Sequence, residues 1–370
     1  MIKRILYTLL IMFPVVASAQ INTDRVMAIG RNALYFEDYV LSIQYFNQVI
    51  NAKPYLSDPY FYRGLAKINL DDFQGAESDC SEAIERNPFV VSAYQVRGLA
   101  RIQQNNFAGA IEDYTKALEF APENIGVWHN MALCRIRQED YKGAKNDLDK
   151  LIAISPRYTK AYLMRGEVDL KQKDTLAAEK DFGKAIEIDR YDADTWASRA
   201  ILRLQQQRYK DAEADFDHAI RLSTRNSGVY INRALARYHQ NNLRGAMSDY
   251  DIALDIDPNN FIGHYNRGLL RAQVGDDNRA IQDFNFVIEM EPDNMMAIFN
   301  RGLLLDQTGD YKGAIKDYST VINEYPNFLL GYQYRAQARR KIGDVKGADA
   351  DEFKVLKAQL DKQNGVDPNK

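Results

Sequence analysis

The chain is predicted to be all-α, a solenoid of ten helix hairpins, each built on a unit of 34 residues. Three observations carry that reading. Small residues recur at a fixed step: Gly30, Gly64, Gly98, Ala132, Gly166, Ala200, Ala234, Gly268, Gly302 and Ala336. Twelve residues on, a second register reads Ser42, Ala76, Ala110, Ala144, Ala178, Ala212, Ala246, Ala280, Ala314 and Ala348. Within each unit, apolar residues spaced by three and four lie on both sides of a polar break, the pattern of two amphipathic helices. A strict period of this kind marks one supersecondary unit copied in series, each copy touching only its neighbours.

Ahead of the repeats, Lys3 and Arg4 precede an apolar run from Ile5 to Val16, then Ala17-Ser18-Ala19. That is the order of a secretory signal, with cleavage expected between Ala19 and Gln20. The run is too short to span a bilayer comfortably. The expected organisation is a signal at 1–19, a solenoid over 20–362 whose last repeat is a degenerate cap, and a disordered tail at 363–370. The processed protein is then periplasmic, envelope-associated or extracellular, and not integral to a membrane.

The repeat is numbered so that the recurring Gly or Ala is position 8. The first helix opens with an aromatic at position 4 (Tyr60, Tyr94, Trp128, Tyr162, Trp196, Tyr230, Tyr332). The break at positions 14 to 16 carries turn residues such as Asn105-Asn106, Gly275-Asp276 and Gly309-Asp310. The second helix bears the alanine register at position 20 and an aromatic at 24 (Phe46, Tyr114, Phe182, Phe216, Tyr250, Phe284, Tyr318). Proline at position 32, as in Pro54, Pro88 and Pro326, cannot continue a helix interior and ends it. Small residues at 8 and 20 are expected to face each other and let two backbones approach, with the rings at 4 and 24 filling the wider gap further along.

Position 7 is arginine in most repeats, at Arg63, Arg97, Arg165, Arg199, Arg233, Arg267, Arg301 and Arg335. Position 23 is aspartate at Asp79, Asp113, Asp147, Asp181, Asp215, Asp249, Asp283, Asp317 and Asp351. Repeat one has Ile29 and Tyr45 there instead. A charged pair exchanged for an apolar pair indicates that the two positions meet within a repeat. The expectation is an ion-pair ladder that fixes helix register, not an anion site. Repeat four breaks it with Met131, and Arg165 of the next repeat is the expected substitute partner for Asp147. Arginines at position 11 (Arg101, Arg135, Arg203, Arg237, Arg271, Arg339) lie one turn beyond and should share the carboxylates. At the end of the chain, Glu352 replaces the aromatic and the last helix is rich in Lys and Asp, which suits a solvated cap.

This pattern resembles the tetratricopeptide repeat family over about residues 23–360, with repeat nine showing it in Gly302, Gly309, Tyr311, Ala314, Tyr318 and Pro326. The resemblance implies a right-handed superhelix with the first helices lining a concave face. It also implies a binding role. Asn232, Asn266 and Asn300 at position 6 resemble the asparagine ladder with which some members hold peptide backbone, since an amide both donates and accepts. Apolar and aromatic partners in the same stretch are Ile231, Leu235, Tyr238, Tyr265, Leu269, Phe299, Leu303 and Met296. The Lys–Asn–Arg set with which other members clamp a carboxylate has no clean counterpart.

The formal net charge of −3 gives no basic field for nucleic acid. Cys80 and Cys134 fall in the second and fourth repeats, so two steps of roughly 10 Å separate them, too far for a disulfide. The histidines His129, His218, His239 and His264 share no repeat position, and no metal or phosphate-binding motif occurs, so no cofactor, metal or catalytic group is expected. The expected function is a non-enzymatic adaptor that docks a protein or peptide segment in the groove. The alternative is a holding chaperone or carrier for client polypeptides.

Overall fold

The computed structural model describes residues 22–363; the leader at 1–19 and residues 364–370 lie outside them. The fold is all-α, with no strand among the described residues. The chain divides into two compact bodies, one ending at Ala178 and the other beginning at Glu179. The first holds α1 (Thr23–Tyr35), α2 (Tyr39–Ala52), α3 (Asp58–Ile68), α4 (Phe73–Arg86), α5 (Val91–Gln103), α6 (Phe107–Phe120), α7 (Ile125–Arg137), α8 (Tyr141–Ile154) and α9 (Thr159–Lys171). The boundary falls inside α10 (Thr175–Ile188). The second holds α11 (Ala193–Gln205), α12 (Tyr209–Leu222), α13 (Ser227–His239), α14 (Leu243–Ile256), α15 (Phe261–Gln273), α16 (Asp277–Met290), α17 (Met295–Thr308), α18 (Tyr311–Glu324), α19 (Leu329–Lys341) and α20 (Val345–Gln363).

The hairpin turns share one design, with repeat nine closing through Gly309 N to Asp306 O instead. The residue at position 15 is left-handed in every repeat, whether glycine (Gly275, Gly309, Gly343) or not (Glu37, Asp71, Asn105, Glu139, Lys173, Gln207, Asn241). That conformation reverses the chain and lets the position-16 N–H bond back to the position-11 carbonyl, as in Asn106 N to Arg101 O at 2.8 Å. This is the Schellman closure of a helix C-terminus. Position 16 then caps the next helix: the Asp38, Asp72, Asn106, Asp140, Asp174, Asn242, Asp310 and Asp344 side chains each accept from the position-19 N–H. Two orphaned helix ends are thereby satisfied over three residues.

Within each body the helices pack in chain order, and first helices of adjacent repeats also touch, as α3 with α5 and α15 with α17. In each body the core is built of small residues and rings. Alanines of the second register, the rings Phe46, Tyr114, Phe182, Phe216 and Phe284, and position 27 (Val49, Ala117, Leu151, Val287) are all buried. The rings at position 24 sit directly over position 8, not further along the helices as the spacing suggested. A Cβ on Gly98 would lie 2.7 Å from the Tyr114 ring, and one on Gly30 2.7 Å from the Phe46 ring. In repeat two, where position 24 is Cys80, a Cβ on Gly64 would come within 3.2 Å of backbone, at the Ala76 carbonyl. The small residue at 8 thus makes room for a ring more than for a backbone.

Position-4 side chains tie the repeat entrance. Trp128 Nε1 donates to Pro122 O, the Tyr162 hydroxyl to Pro156 O, and Trp196 Nε1 to Arg190 O. Cys80 and Cys134 are free thiols in the core, and burial pushes them up to about 12 and about 11. The last helix is less polar on its outer side than a solvated cap would be. Phe353, Leu356 and Leu360 are exposed along α20.

Candidate functional site

The first helices are held in register by the charged side chains at positions 7 and 11. The position-7 arginine bonds the position-23 aspartate of its own hairpin at Arg63–Asp79, Arg97–Asp113, Arg199–Asp215, Arg233–Asp249, Arg267–Asp283, Arg301–Asp317 and Arg335–Asp351. Most of these forks are bidentate, with Arg233 Nε 3.0 Å from Asp249 Oδ2 and Nη2 2.6 Å from Oδ1. The aspartates are almost wholly buried, and two nitrogens of a planar fork fit two carboxylate oxygens.

The remaining terminal nitrogen reaches backward to position 25 of the preceding repeat. Arg63 meets Asn47, Arg97 Ser81, Arg165 Asp149, Arg233 Asp217, Arg267 Asp251, Arg301 Asn285 and Arg335 Ser319. One guanidinium therefore staples a hairpin internally and to its neighbour. Position 11 does the same. Arg101 bonds both Asp113 and Glu77, Arg203 both Asp215 and Glu179, and Arg237 both Asp249 and Glu213. Burial raises the Glu77 carboxyl, but hydrogen bonds from Arg101 and Gln104 outweigh it and hold it below its ordinary value.

Repeat four departs from this scheme at position 7, and repeat five at position 11. With Met131 at position 7, Asp147 is met by Arg135 of its own repeat, Nε to Oδ2 at 2.8 Å. Arg165 is not its partner; its Nη1 goes to Asp149 at 2.6 Å. The Arg135 contact lacks hydrogen-bond alignment, so burial dominates and pushes Asp147 up to about 6. At position 11 of repeat five stands Asp169, buried and paired to Lys145. For Arg101, Arg203 and Arg237 this contact runs from arginine at 11 to glutamate at 21 of the preceding repeat; here the same two positions carry the opposite signs.

On the first-helix face of the second body, the candidate binding residues divide. Ile231 and Phe299 are buried in the core, Phe299 among Tyr318, Phe328 and Tyr334. Leu303 is half-buried against the same cluster. Asn300 donates to the Tyr265 hydroxyl at 3.2 Å, so that amide is used between adjacent first helices. Asn232 and Asn266 are half-buried and make no hydrogen bond among the described residues, and Leu235 is half-buried. Tyr238, Leu269 and Met296 are exposed, Met296 at 63%.

Family models described as Tetratricopeptide repeat match residues 91–124, 125–158, 159–192, 198–261 and 265–327. The chain belongs to the tetratricopeptide repeat family. Solved structures with the same fold include a tetratricopeptide repeat protein from Parabacteroides merdae, 21% identical, with 67% of this chain and 98% of that one covered at a TM-score of 0.52. Another is the C-terminal part of a repeat-containing protein from Cytophaga hutchinsonii, 17% identical, with 64% and 97% covered at 0.53. No curated protein matches the sequence.

In this tetratricopeptide repeat chain the first three matches begin and end on positions 1 and 34 of repeats three, four and five. Tetratricopeptide repeats imply protein partners. Among the described residues no helix is long and apolar enough to cross a membrane, and no group of His, Cys, Asp and Glu could hold a metal ion. The sequence reading missed the position-25 acceptors. Their signal was there, a small polar residue one repeat before nearly every arginine, but it crosses repeat boundaries. It also missed a change at positions 1 and 2. Repeats eight to ten begin Phe261-Ile262, Met295-Met296 and Leu329-Leu330, where repeats one and two begin Thr23-Asp24 and Ser57-Asp58. Ile262, Met296 and Leu330 are all exposed.

Proposed function

We propose that the protein is a non-enzymatic adaptor of the cell envelope that holds a polypeptide segment on the first-helix face of repeats seven to nine. One observation carries this reading. Asn232 and Asn266 stand one repeat apart at the same helix position, unengaged by the fold, beside the exposed Tyr238, Ile262 and Leu269. An amide with both donor and acceptor free can pair with peptide backbone, and aromatic and apolar neighbours supply contact area. The arginine staples favour the same reading, since a fixed spacing between first helices presents such groups at fixed intervals. The envelope location rests on the export signal expected at 1–19.

The test is capture by crosslinking in the native organism, comparing the parent with Asn232→Ala/Asn266→Ala and with Asn300→Ala. The double variant is expected to keep its helical circular dichroism and lose most of the captured partner. Asn300→Ala, whose amide already serves Tyr265, should lose less. Full retention of the partner by the double variant would remove this face as the site.

A further inference from the structure

Repeat nine holds an apolar cavity. It has a volume of about 390 Å³ and is lined by Met295, Met296, Phe299, Val321, Tyr325 and Phe328, with Asp293 and Asn294 at its polar side. Phe299 and Val321 are buried, while Met296 and Tyr325 are exposed. The apolar lining comes from three exceptions to the repeat. Position 34 is Phe328 where neighbouring repeats have Asn226, Asn260 and Asn294; position 31 is Tyr325 where they have Ser223, Asp257 and Glu291; and positions 1 and 2 are both methionine. Unbranched thioether side chains adapt to different apolar shapes.

The chain segments that line it carry charge of one sign. Residues 284–300 and 318–334, which supply the lining, carry Glu289, Glu291, Asp293 and Glu324 and no lysine or arginine. Glu289, Asp293 and Glu324 are exposed and form no ion pair among the described residues. The nearest arginine in sequence, Arg301, is committed to Asp317 and Asn285. An apolar cavity in an acidic field selects a basic partner, because complementary charge steers encounter and rejects like-charged competitors.

We infer that this cavity seats a bulky apolar side chain, aromatic or aliphatic, of a polypeptide segment whose flanking residues are lysine or arginine. The inference deepens the adaptor reading above and rests on it. It adds a specificity pocket at the edge of the proposed face and names the chemistry that the pocket selects.

The experiment is selection of a random 12-residue peptide library, displayed on phage, against the full processed chain. Fluorescence anisotropy then measures the enriched peptides against the parent, Met296→Lys and Asp293→Lys/Glu324→Lys. All three substituted positions are exposed, and a thermal melt checks that the fold is kept. Enriched sequences are expected to carry Trp, Phe, Leu or Met next to Lys or Arg. Met296→Lys should weaken their binding at least tenfold, and the charge reversal likewise, with the parent's affinity falling as salt is raised.

No enrichment over Met296→Lys, enrichment of acidic peptides, or indifference to both variants overturns the proposal. So does light scattering that shows a dimer which Met296→Lys splits, since the occupant is then a second copy. If the native partner is lost from Asn232→Ala/Asn266→Ala but retained by Met296→Lys, the adaptor reading stands and the pocket falls. If both variants retain it, both readings fall.

Discussion

Asp147 shows what the arginine at position 7 does elsewhere. It is as buried as the other position-23 aspartates, but Met131 offers it nothing and Arg135 approaches without hydrogen-bond alignment. Its folded value of about 6 lies above the ordinary carboxyl value of about 3.8. Stability from this group is therefore full below the unfolded value and is lost as pH rises through about 6. The loss is on the order of 3 kcal/mol by linkage. Asp147→Asn is expected to raise the melting temperature at pH 7 and to change little at pH 4. A gain that is the same at both pH values would contradict this. Arg233→Leu tests the intact fork. Removing one partner of a buried pair costs about 3 kcal/mol because the other charge is stranded. Arg233→Leu/Asp249→Leu should recover much of the lost melting temperature, since Arg237 keeps Glu213.

Among elements, the hairpin turn is the most uniform feature and the least visible in composition. Seven of the left-handed residues are not glycine, and they carry a Cβ where it is disfavoured. Glu139→Gly is expected to stabilise by roughly 0.5–1 kcal/mol. Gly275→Ala, with nothing within 4 Å of the added Cβ, should destabilise by about 1 kcal/mol through backbone strain alone. Chemical denaturation of the two variants checks both signs. The dipeptides Gly275-Asp276 and Gly309-Asp310 announce such a turn in sequence, whereas Lys173-Asp174 and Gln207-Arg208 do not. Their conformation is imposed by the helices on either side.

Across the molecule, the same contact made with exchanged signs at Lys145 and Asp169 means that repeats four and five recognise each other by a pair no other junction shares. Lys145→Glu alone sets two carboxylates together in a buried site and should lower the melting temperature. Lys145→Glu/Asp169→Arg should restore it by recreating the arrangement of Arg237 and Glu213; failure to restore would mean that the junction is not set by these charges. Sequence by itself determined the repeat, its two helices, its turn and the meeting of positions 7 and 23, because a unit copied in series repeats its local chemistry at a fixed spacing. Only the tertiary structure decided that Phe299 and Ile231 are core, that Asn300 is spent on Tyr265, and that repeat nine forms an open apolar pocket. Those outcomes depend on which side chain of one repeat packs on the next, and a period read along the chain does not contain that information.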